Sequence, residues 1–232
     1  MTILYRDVSI HEGRKNLIQG FTTTFETGTM GILYGSRSSA KTQLLLAAAG
    51  LYKFAQGSIQ LGEIDVKKHP FQARRNVGLA ASPTANPLLS HLSVHENMMV
   101  QARSLHCHRP RQVVKHWLDH FGLGAYEKIA VDHLSEYQIA MVGVAMAMLN
   151  DPKHVFVDEP ERRLTTEETE RFLQQLVALK DLGKTVIMTT RRQETLVYGD
   201  AVIHIPDFEE VKELESVAHY VSRTEKTDTK SL

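Results

Sequence analysis

The chain has 232 residues, of which 42% are hydrophobic and 23% are charged, which is ordinary for a globular domain. Lys and Arg together number 27, as do Asp and Glu, so the zero net charge argues against nucleic acid as a partner. The single cysteine, Cys107, excludes an internal disulfide framework and favours a reducing compartment. The sequence starts without signal-peptide features and has no apolar run of the roughly 18–20 residues that span a bilayer. Any membrane role is therefore expected to come through a partner.

The first third of the chain predicts short strands followed by a buried helix. Residues 3–5 and 21–25 are rich in apolar and β-branched side chains, and a polar turn lies between them. Residues 30–34 form a compact apolar run, and residues 42–51 are apolar on every face. These two runs predict a buried strand and a buried helix, with a further short strand at 57–62.

The remainder predicts a helical insert and then alternating strands and helices. Residues from about 84 to 133 are rich in histidine and helix-forming side chains. After them the pattern predicts helices at 135–149 and 166–180. Strands are expected at 154–157, 185–190 and 201–205, and from 224 onward the tail is expected to be disordered. Strands alternating with helices indicate an α/β core with a mainly parallel sheet.

A small-residue loop joins the predicted strand 30–34 to the predicted helix 42–51. In this setting backbone N–H groups and a helix N-terminus bind phosphate, although a serine-rich turn is the alternative. The loop matches G-x-x-x-x-G-K-[ST] except that Ala40 replaces the second glycine; a positive φ there would cost about 1–2 kcal/mol. Lys41 is expected to reach the β- and γ-phosphates of ATP, and Thr42 to offer its hydroxyl to Mg²⁺. The predicted ATP-binding residues are Gly35, Ser36, Arg37, Ser38, Ser39, Ala40, Lys41, Thr42 and Gln43.

Two carboxylates follow the predicted strand 154–157. Charges confined to the C-terminal end of a buried strand lie where α/β sheets bind ligands. Asp158 is expected to hold Mg²⁺ and Glu159 to polarise an attacking water. A strand that simply meets solvent at two acidic residues is the alternative, and the preceding phosphate loop disfavours it.

With these two motifs in place, the order of segments resembles the ATPases of ATP-binding-cassette (ABC) transporters over nearly the whole chain. Residues 134–138, LSEYQ, stand where that family has L-S-G-G-Q, and residues 91–97, HLSVHEN, look like its H-L-T-V-x-E-N segment. The resemblance implies an α/β fold: a RecA-like P-loop ATPase core, an N-terminal antiparallel β portion and an inserted helical subdomain at about 84–133. The ABC ATPase domain is expected to span 1–223, followed by a disordered tail at 224–232.

The resemblance also implies ligands and partners. In the family, two cassettes pack head to tail, and each ATP with its Mg²⁺ lies between one phosphate loop and the other cassette's signature. A second cassette, identical or paralogous, and a membrane-spanning permease subunit are the implied partners. The chain is then expected in the cytoplasm, at the inner face of the cell membrane. The residues implied to act in trans are Leu134, Ser135, Glu136, Tyr137 and Gln138.

Several positions depart from the family pattern. Ser38 and Ala40 replace glycines of the phosphate loop, and Ser82 stands at the Q-loop glutamine. The D-loop reads Arg162-Arg163-Leu164-Thr165, and Arg191 replaces the switch histidine. The aromatic residue that stacks on adenine is not evident, with His11 as the nearest candidate. Since Glu159, Arg191 and Ser82 are the implied catalytic positions, two of the three are altered.

The altered residues predict that hydrolysis suffers more than binding. Glu136 places a carboxylate where the γ-phosphate of an opposed ATP should sit, and Tyr137 adds bulk there. Ser135 and Gln138 nevertheless have capping-box spacing, so this helix start is well formed. Arg191 cannot accept a hydrogen bond as a neutral imidazole can, but its guanidinium could clamp a phosphate oxygen.

Two function hypotheses stay open. The chain is either an ATP-binding transporter subunit with weak or partner-assisted hydrolysis, or a pseudo-ATPase that acts as scaffold or regulator. Residues 83–92, with apolar Leu88 and Leu89, are the candidate surface for the permease, although ordinary subdomain packing is the alternative. His116 and His120 have ligand spacing on a helix, but such pairs are more often solvated than bound to metal.

Overall fold

The computed structural model describes residues 1–13, 15–80 and 86–207, and two β-sheets organise them. The strands are β1 (Ile3–Glu12), β2 (Lys15–Phe25), β3 (Met30–Tyr34), β4 (Gln56–Leu61), β5 (Ile64–Asp65), β6 (Val77–Leu79), β7 (His154–Asp158), β8 (Thr185–Thr190) and β9 (Ala201–His204). The helices are α1 (Lys41–Ala48), α2 (Pro70–Asn76), α3 (Val94–Ser104), α4 (Pro110–His120), α5 (Glu136–Ala147) and α6 (Thr166–Asp181). The 3₁₀ helices among the described residues are Gly124–Tyr126, Val131–His133, Pro160–Arg163 and Gln193–Tyr198.

One sheet is antiparallel and the other parallel. The antiparallel sheet has the order β2-β1-β4-β5, and the parallel sheet has the order β6-β7-β8-β3-β9. Every residue of β8 is buried, as expected for a parallel strand with both faces covered. The predicted α/β class, with an N-terminal antiparallel portion and a parallel core, is confirmed.

Helix α1 and the end of β2 connect the two sheets. α1 packs against strands of both sheets, β1 and β4 of one and β7 and β8 of the other, which explains why its residues 44–48 are all apolar. Phe25 at the end of β2 lies against β3, where a Cβ on Gly31 would overlap the Phe25 ring. The absence of a side chain at Gly31 therefore permits this close approach.

A helical region packs beside the parallel sheet. α3, α4 and α5 share one apolar core with one face of that sheet. Ser93 and Glu96 form a capping box at the start of α3. The buried Asn97 side chain donates to the carbonyls of Leu89 and Leu92 and accepts from the Leu89 N–H. These bonds tie the segment before α3 to the helix.

Several element boundaries differ from the sequence-based prediction. β1 and β2 are longer than predicted because they pair with each other from Ile3 opposite Phe25 to Glu12 opposite Lys15. The first helix ends at Ala48, since Gly50 has a φ of +70° and leaves the helical region. α2 and the three-residue β6 were not predicted, because β6 is defined by its pairing with β7 rather than by an alternating pattern.

Some sequence-based predictions fall outside the described residues. Ser82 lies in the segment 81–85, and the predicted tail 224–232 lies beyond 207. The bounds of the ATPase domain and its helical subdomain stay predictions. In the described ranges, no helix combines the length and the apolar composition needed to cross a membrane.

A buried histidine begins the central strand β7. His154 is 0% exposed, and neither ring nitrogen has a hydrogen-bond partner among the described residues. Burial lowers the pKa of His154 from 6.5 to about 4. In the unfolded chain His154 therefore binds a proton below about pH 6.5. In the folded chain it binds that proton only below about pH 4.

We expect His154→Leu to reduce the acid sensitivity of the fold. Between pH 6.5 and 4 the wild-type free energy of unfolding should fall because of His154, by up to about 1.4 kcal/mol per pH unit. Urea denaturation at pH 7.5 and 5 measures this loss in the wild type and in His154→Leu. His133→Gln is the control because that side chain is 75% exposed. Equal losses in the wild type and His154→Leu would contradict the prediction.

Candidate functional site

The carboxyl ends of three parallel strands meet at one edge of the sheet. Tyr34 at the end of β3 pairs in register with Thr190 of β8, and Asp158 at the end of β7 pairs with Thr189. Ligands bind at this edge in α/β sheets. The register therefore brings the predicted phosphate loop, which follows β3, beside the two carboxylates that follow β7.

The phosphate loop turns tightly between β3 and α1. Its exposed tip is residues 36–38, and Ser39 and Ala40 are buried. The Ser39 hydroxyl donates to the Ser36 carbonyl at 2.9 Å, and a Cβ on Gly35 would lie 2.6 Å from the Ser39 Oγ. Ala40 has a φ of −81°, so the left-handed strain considered for this position does not occur here. Gln43 lies half-buried in the first turn of α1.

Lys41 and Arg191 hold the Glu159 carboxylate between them. The Lys41 Nζ lies 2.8 Å from Glu159 Oε1, and the Arg191 Nε lies 3.1 Å from Glu159 Oε2. The Lys41 Nζ also donates to the Ser36 carbonyl at 2.6 Å. The side chains of Lys41 and Glu159 are 2% and 16% exposed, so this is a partly buried ion-pair network and not a surface contact.

Asp158 collects hydroxyl groups from two other elements. The Thr42 hydroxyl donates to Asp158 Oδ1 at 2.8 Å, and the Thr189 hydroxyl donates to the same oxygen at 2.6 Å. Mg²⁺ prefers carboxylate, hydroxyl and water oxygens, and Thr42 and Asp158 present such oxygens side by side. The residues present therefore fit the predicted Mg²⁺ ligands.

The backbone turns sharply at Glu159. Its φ and ψ are 42° and 56°, a left-handed conformation that is unfavourable for a residue with a Cβ. The Glu159 N–H donates to the Thr189 hydroxyl at 3.0 Å, so the same threonine holds both acidic residues. Thr189 was not predicted from the sequence because its role depends on the β7–β8 register.

Glu161 is a second residue that the sequence did not reveal. Its carboxylate is buried, and its Oε1 accepts from the Thr190 hydroxyl at 2.7 Å and from the Arg191 N–H at 3.2 Å. The sequence signal was weak, since one more glutamate after Asp158-Glu159-Pro160 reads as an exposed loop residue. Its contacts fix the backbone that carries Arg191.

The predicted signature segment begins α5. Ser135 and Gln138 form the expected capping box, with the Gln138 N–H donating to Ser135 Oγ at 3.2 Å. Glu136 lies 3.3 Å from the Arg163 Nη1, and the Arg171 guanidinium lies 4.7 Å from the centre of the Tyr137 ring. Cationic groups therefore accompany both residues that replace the expected glycines. Leu134, half-buried, precedes the cap.

A cleft of about 500 Å³ connects these groups. It is lined from the phosphate loop by Arg37 and Thr42, from the end of β7 by Asp158 and Glu159, and from α5 by Glu136. Arg191 lines the same cleft. Its size and its mixture of cations and carboxylates fit a charged ligand with a bound cation. Among the described residues no group of three or more His, Cys, Asp or Glu side chains is arranged to hold a metal ion, and His116 and His120 belong to no such group.

Comparisons with known proteins agree with the motifs. The family model described as ABC transporter matches residues 18–162. The energy-coupling factor transporter ATP-binding protein EcfA1 of Thermotoga maritima is 28% identical over 207 residues, which cover 88% of this chain and 78% of the relative. The lipoprotein-releasing system ATP-binding protein LolD of Leptospira interrogans is 27% identical over 217 residues, covering 86% and 90% of the two chains.

Solved structures share the fold at lower identity. The structure of cbiO1 from Clostridium perfringens, part of the ABC transporter complex cbiONQ, has a TM-score of 0.78 at 20% identity and covers 94% of this chain and 93% of that one. The ATP-binding cassette MJ0796, in a dimeric post-hydrolysis state bound to ADP and Pi, has a TM-score of 0.76 at 19% identity. It covers 88% of this chain and 96% of its own.

We expect the capping box at α5 to stabilise the fold more than the adjacent ion pair. Ser135→Ala removes the acceptor for the Gln138 N–H and should lower the free energy of unfolding by about 1 kcal/mol. Glu136→Gln breaks only the exposed pair with Arg163 and should change it by less than about 0.5 kcal/mol. Urea denaturation measures both variants. The reverse order of the two effects would contradict the prediction.

Proposed function

Because the chain belongs to the ABC transporter family, we propose that it is the ATP-binding subunit of an ABC transporter, with weak or partner-assisted hydrolysis. On this proposal it binds Mg-ATP at an interface with a second cassette and couples binding to a membrane-spanning permease. The observation that carries the proposal is the meeting of Lys41, Thr42, Asp158 and Glu159 at one edge of the parallel sheet.

The proposed binding mode uses groups that already converge on the cleft. The N–H groups of residues 35–40 and the N-terminus of α1 would contact the phosphates, and the Lys41 ammonium would exchange Glu159 for the β- and γ-phosphates. Thr42 and Asp158 would hold Mg²⁺, which would supply positive charge to the phosphates. Gln43 and the exposed tip 36–38 complete the proposed ATP-binding residues. His11, exposed in β1 opposite Asn16, is the candidate residue for stacking on the adenine ring.

Hydrolysis would need Glu159 to bind and orient water. In that reaction the water oxygen bonds to the γ-phosphorus, the bond to the β–γ bridging oxygen breaks, and ADP leaves with the electron pair. The water proton passes through Glu159 to the released phosphate. Both oxygens of Glu159 have cationic partners in this structure, and Glu136 and Tyr137 replace the signature glycines, which supports slow turnover.

A pseudo-ATPase is the second candidate function. The same engagement of Glu159 and the loss of the switch histidine at Arg191 favour a subunit that binds ATP without turning it over. Such a subunit would act as a scaffold or regulator within the transporter.

We place the permease contact on a second cleft between the parallel sheet and the helical region. This cleft has a volume of about 310 Å³, and Leu51, Arg74, Gln101 and Asn150 are among its lining residues. Leu51 and nearby Phe71 are exposed by 43% and 75%, and apolar side chains in contact with water mark interaction surfaces. Asn86, which belongs to the segment 83–92 proposed from the sequence, also lines this cleft. Attachment there would place the chain at the inner, cytoplasmic face of the cell membrane.

Lys41→Ala should weaken Mg-ATP binding by tenfold or more, since hydrogen bonds to charged groups contribute about 1.5–3 kcal/mol. Titration of the purified chain with Mg-ATP in a calorimeter measures the change, and Lys68→Ala, an exposed lysine outside the cleft, is the control. An unchanged affinity in Lys41→Ala would remove the proposed site.

Glu159→Gln separates the two candidate functions. If the wild type releases phosphate from Mg-ATP and Glu159→Gln does not, the chain is a working ATPase. Tight Mg-ATP binding with release no faster than in Glu159→Gln supports the pseudo-ATPase.

Phe71→Ser should detach the chain from membranes without changing ATP affinity. Its ring is exposed beside the second cleft, so its loss removes apolar contact area without disturbing the core. Cell fractionation of the source organism measures the bound fraction, with Leu182→Ser, another exposed apolar residue, as the control. Equal membrane binding by the wild type and Phe71→Ser would contradict this placement.

A further inference from the structure

The geometry points to Arg191 as a latch that restrains the Glu159 carboxylate through an ion pair and thereby limits ATP turnover. This inference rests on the proposed function and concerns the regulation of the same site. It differs from the expectation that Arg191 clamps a phosphate oxygen, because in this structure the guanidinium contacts a carboxylate of its own chain.

Both oxygens of the Glu159 carboxylate are occupied. Oε1 contacts Lys41 at 2.8 Å and Oε2 contacts Arg191 at 3.1 Å. A carboxylate that must orient a water needs an oxygen lone pair that faces that water at hydrogen-bond distance. In this structure each oxygen has one lone pair engaged by a cation, and the two contacts together fix the direction in which the carboxylate faces.

The two cations differ in what ATP binding would do to them. Lys41 lies in the phosphate loop, so the phosphates compete for its ammonium and release Oε1. Arg191 follows β8, and Glu161 holds its backbone by accepting from its N–H, so we expect its contact with Oε2 to persist when the phosphates bind Lys41. The Arg191 contact is therefore the one that remains to restrain Glu159 in the ATP-bound chain.

The backbone of Arg191 is held in place by buried groups. Its N–H donates to Glu161, whose carboxylate also accepts from Thr190, and the Thr195 hydroxyl donates to Thr190 at 3.0 Å. Glu161 and Thr190 are 3% and 0% exposed. The Arg191 side chain is 37% exposed. Its backbone is therefore fixed, while its guanidinium can be reached from the cleft. A second cassette that offered a carboxylate or phosphate to this guanidinium could release Glu159.

The first test measures phosphate release as a function of Mg-ATP concentration in the full chain. Arg191→Gln and Arg191→His should raise kcat by about tenfold while KM changes by less than about twofold, since only the restraint on Glu159 is removed. Adding Glu159→Gln to Arg191→Gln should abolish the gain. A rise in KM with no gain in kcat would overturn the latch in favour of a phosphate clamp.

Arg162→Gln is the matched control. Arg162 lines the same cleft, but among the described residues its side chain forms no ion pair with Glu159. An increase in kcat equal to that of Arg191→Gln would show a general effect of cleft charge and overturn the latch.

The second test observes the contact without turnover. In ¹H–¹⁵N spectra of the nucleotide-free chain, the Arg191 Nε–H signal is identified by its loss in Arg191→Gln. We expect slow exchange with solvent in the wild type and fast exchange in Glu159→Gln. Equal exchange in both would overturn the latch.

The two tests separate the latch from the proposed function. Absence of Mg-ATP binding in the wild type would remove the proposed function together with its regulation. Binding with unchanged kcat in Arg191→Gln would remove the latch alone.

Discussion

The Lys41 side chain is 2% exposed, and an ammonium group this far from water is stable only where acceptors replace its hydration. Here the acceptors are the Ser36 carbonyl and the Glu159 carboxylate. The first closes the phosphate loop around Lys41, and the second ties the start of α1 to the end of β7. The shape of the cleft therefore depends on the buried Lys41 ammonium and on which acceptor groups bind it.

On the proposed function, the same arrangement would make ATP binding and catalysis separable. A polyphosphate would replace Glu159 as the partner of the Lys41 ammonium, which lies 2.8 Å from that carboxylate. The released carboxylate is not thereby free, because Arg191 contacts its other oxygen. A histidine at that position could donate or accept a hydrogen bond, whereas a guanidinium can only donate. On the proposed function, ATP binding and ATP hydrolysis would therefore depend on different residues of one site.

The altered signature presents a similar balance of charges. Glu136 alone would repel a phosphate, but Arg163 lies 3.3 Å away and Arg171 covers Tyr137. Because the Glu136–Arg163 pair is largely exposed, it contributes little to stability. Its consequence is electrostatic: the start of α5 is less acidic than residue Glu136 by itself suggests. On the proposed function, hydrolysis by a dimer would then depend on how a second cassette contacts these arginines.

The sequence alone determined the class of fold and the chemistry of the main site. The apolar runs at β3, β7 and β8, and the loop ending in Lys41-Thr42, are local patterns whose physical meaning does not require knowledge of their neighbours. The capping spacing of Ser135 and Gln138 is local in the same sense. By contrast, β6 could not be recognised, because three residues form a strand only when β7 lies beside them.

Only the tertiary structure decided which groups contact each other. Thr189 holds Asp158 and Glu159 because β8 pairs with β7 in one particular register. Arg191 meets Glu159, and Glu161 anchors Arg191, although about thirty residues separate them along the chain. A register shift of one residue would turn every side chain of a strand to the opposite face. For that reason the sequence could name the residues of the site, while their ion pairs followed from the packing of the sheet.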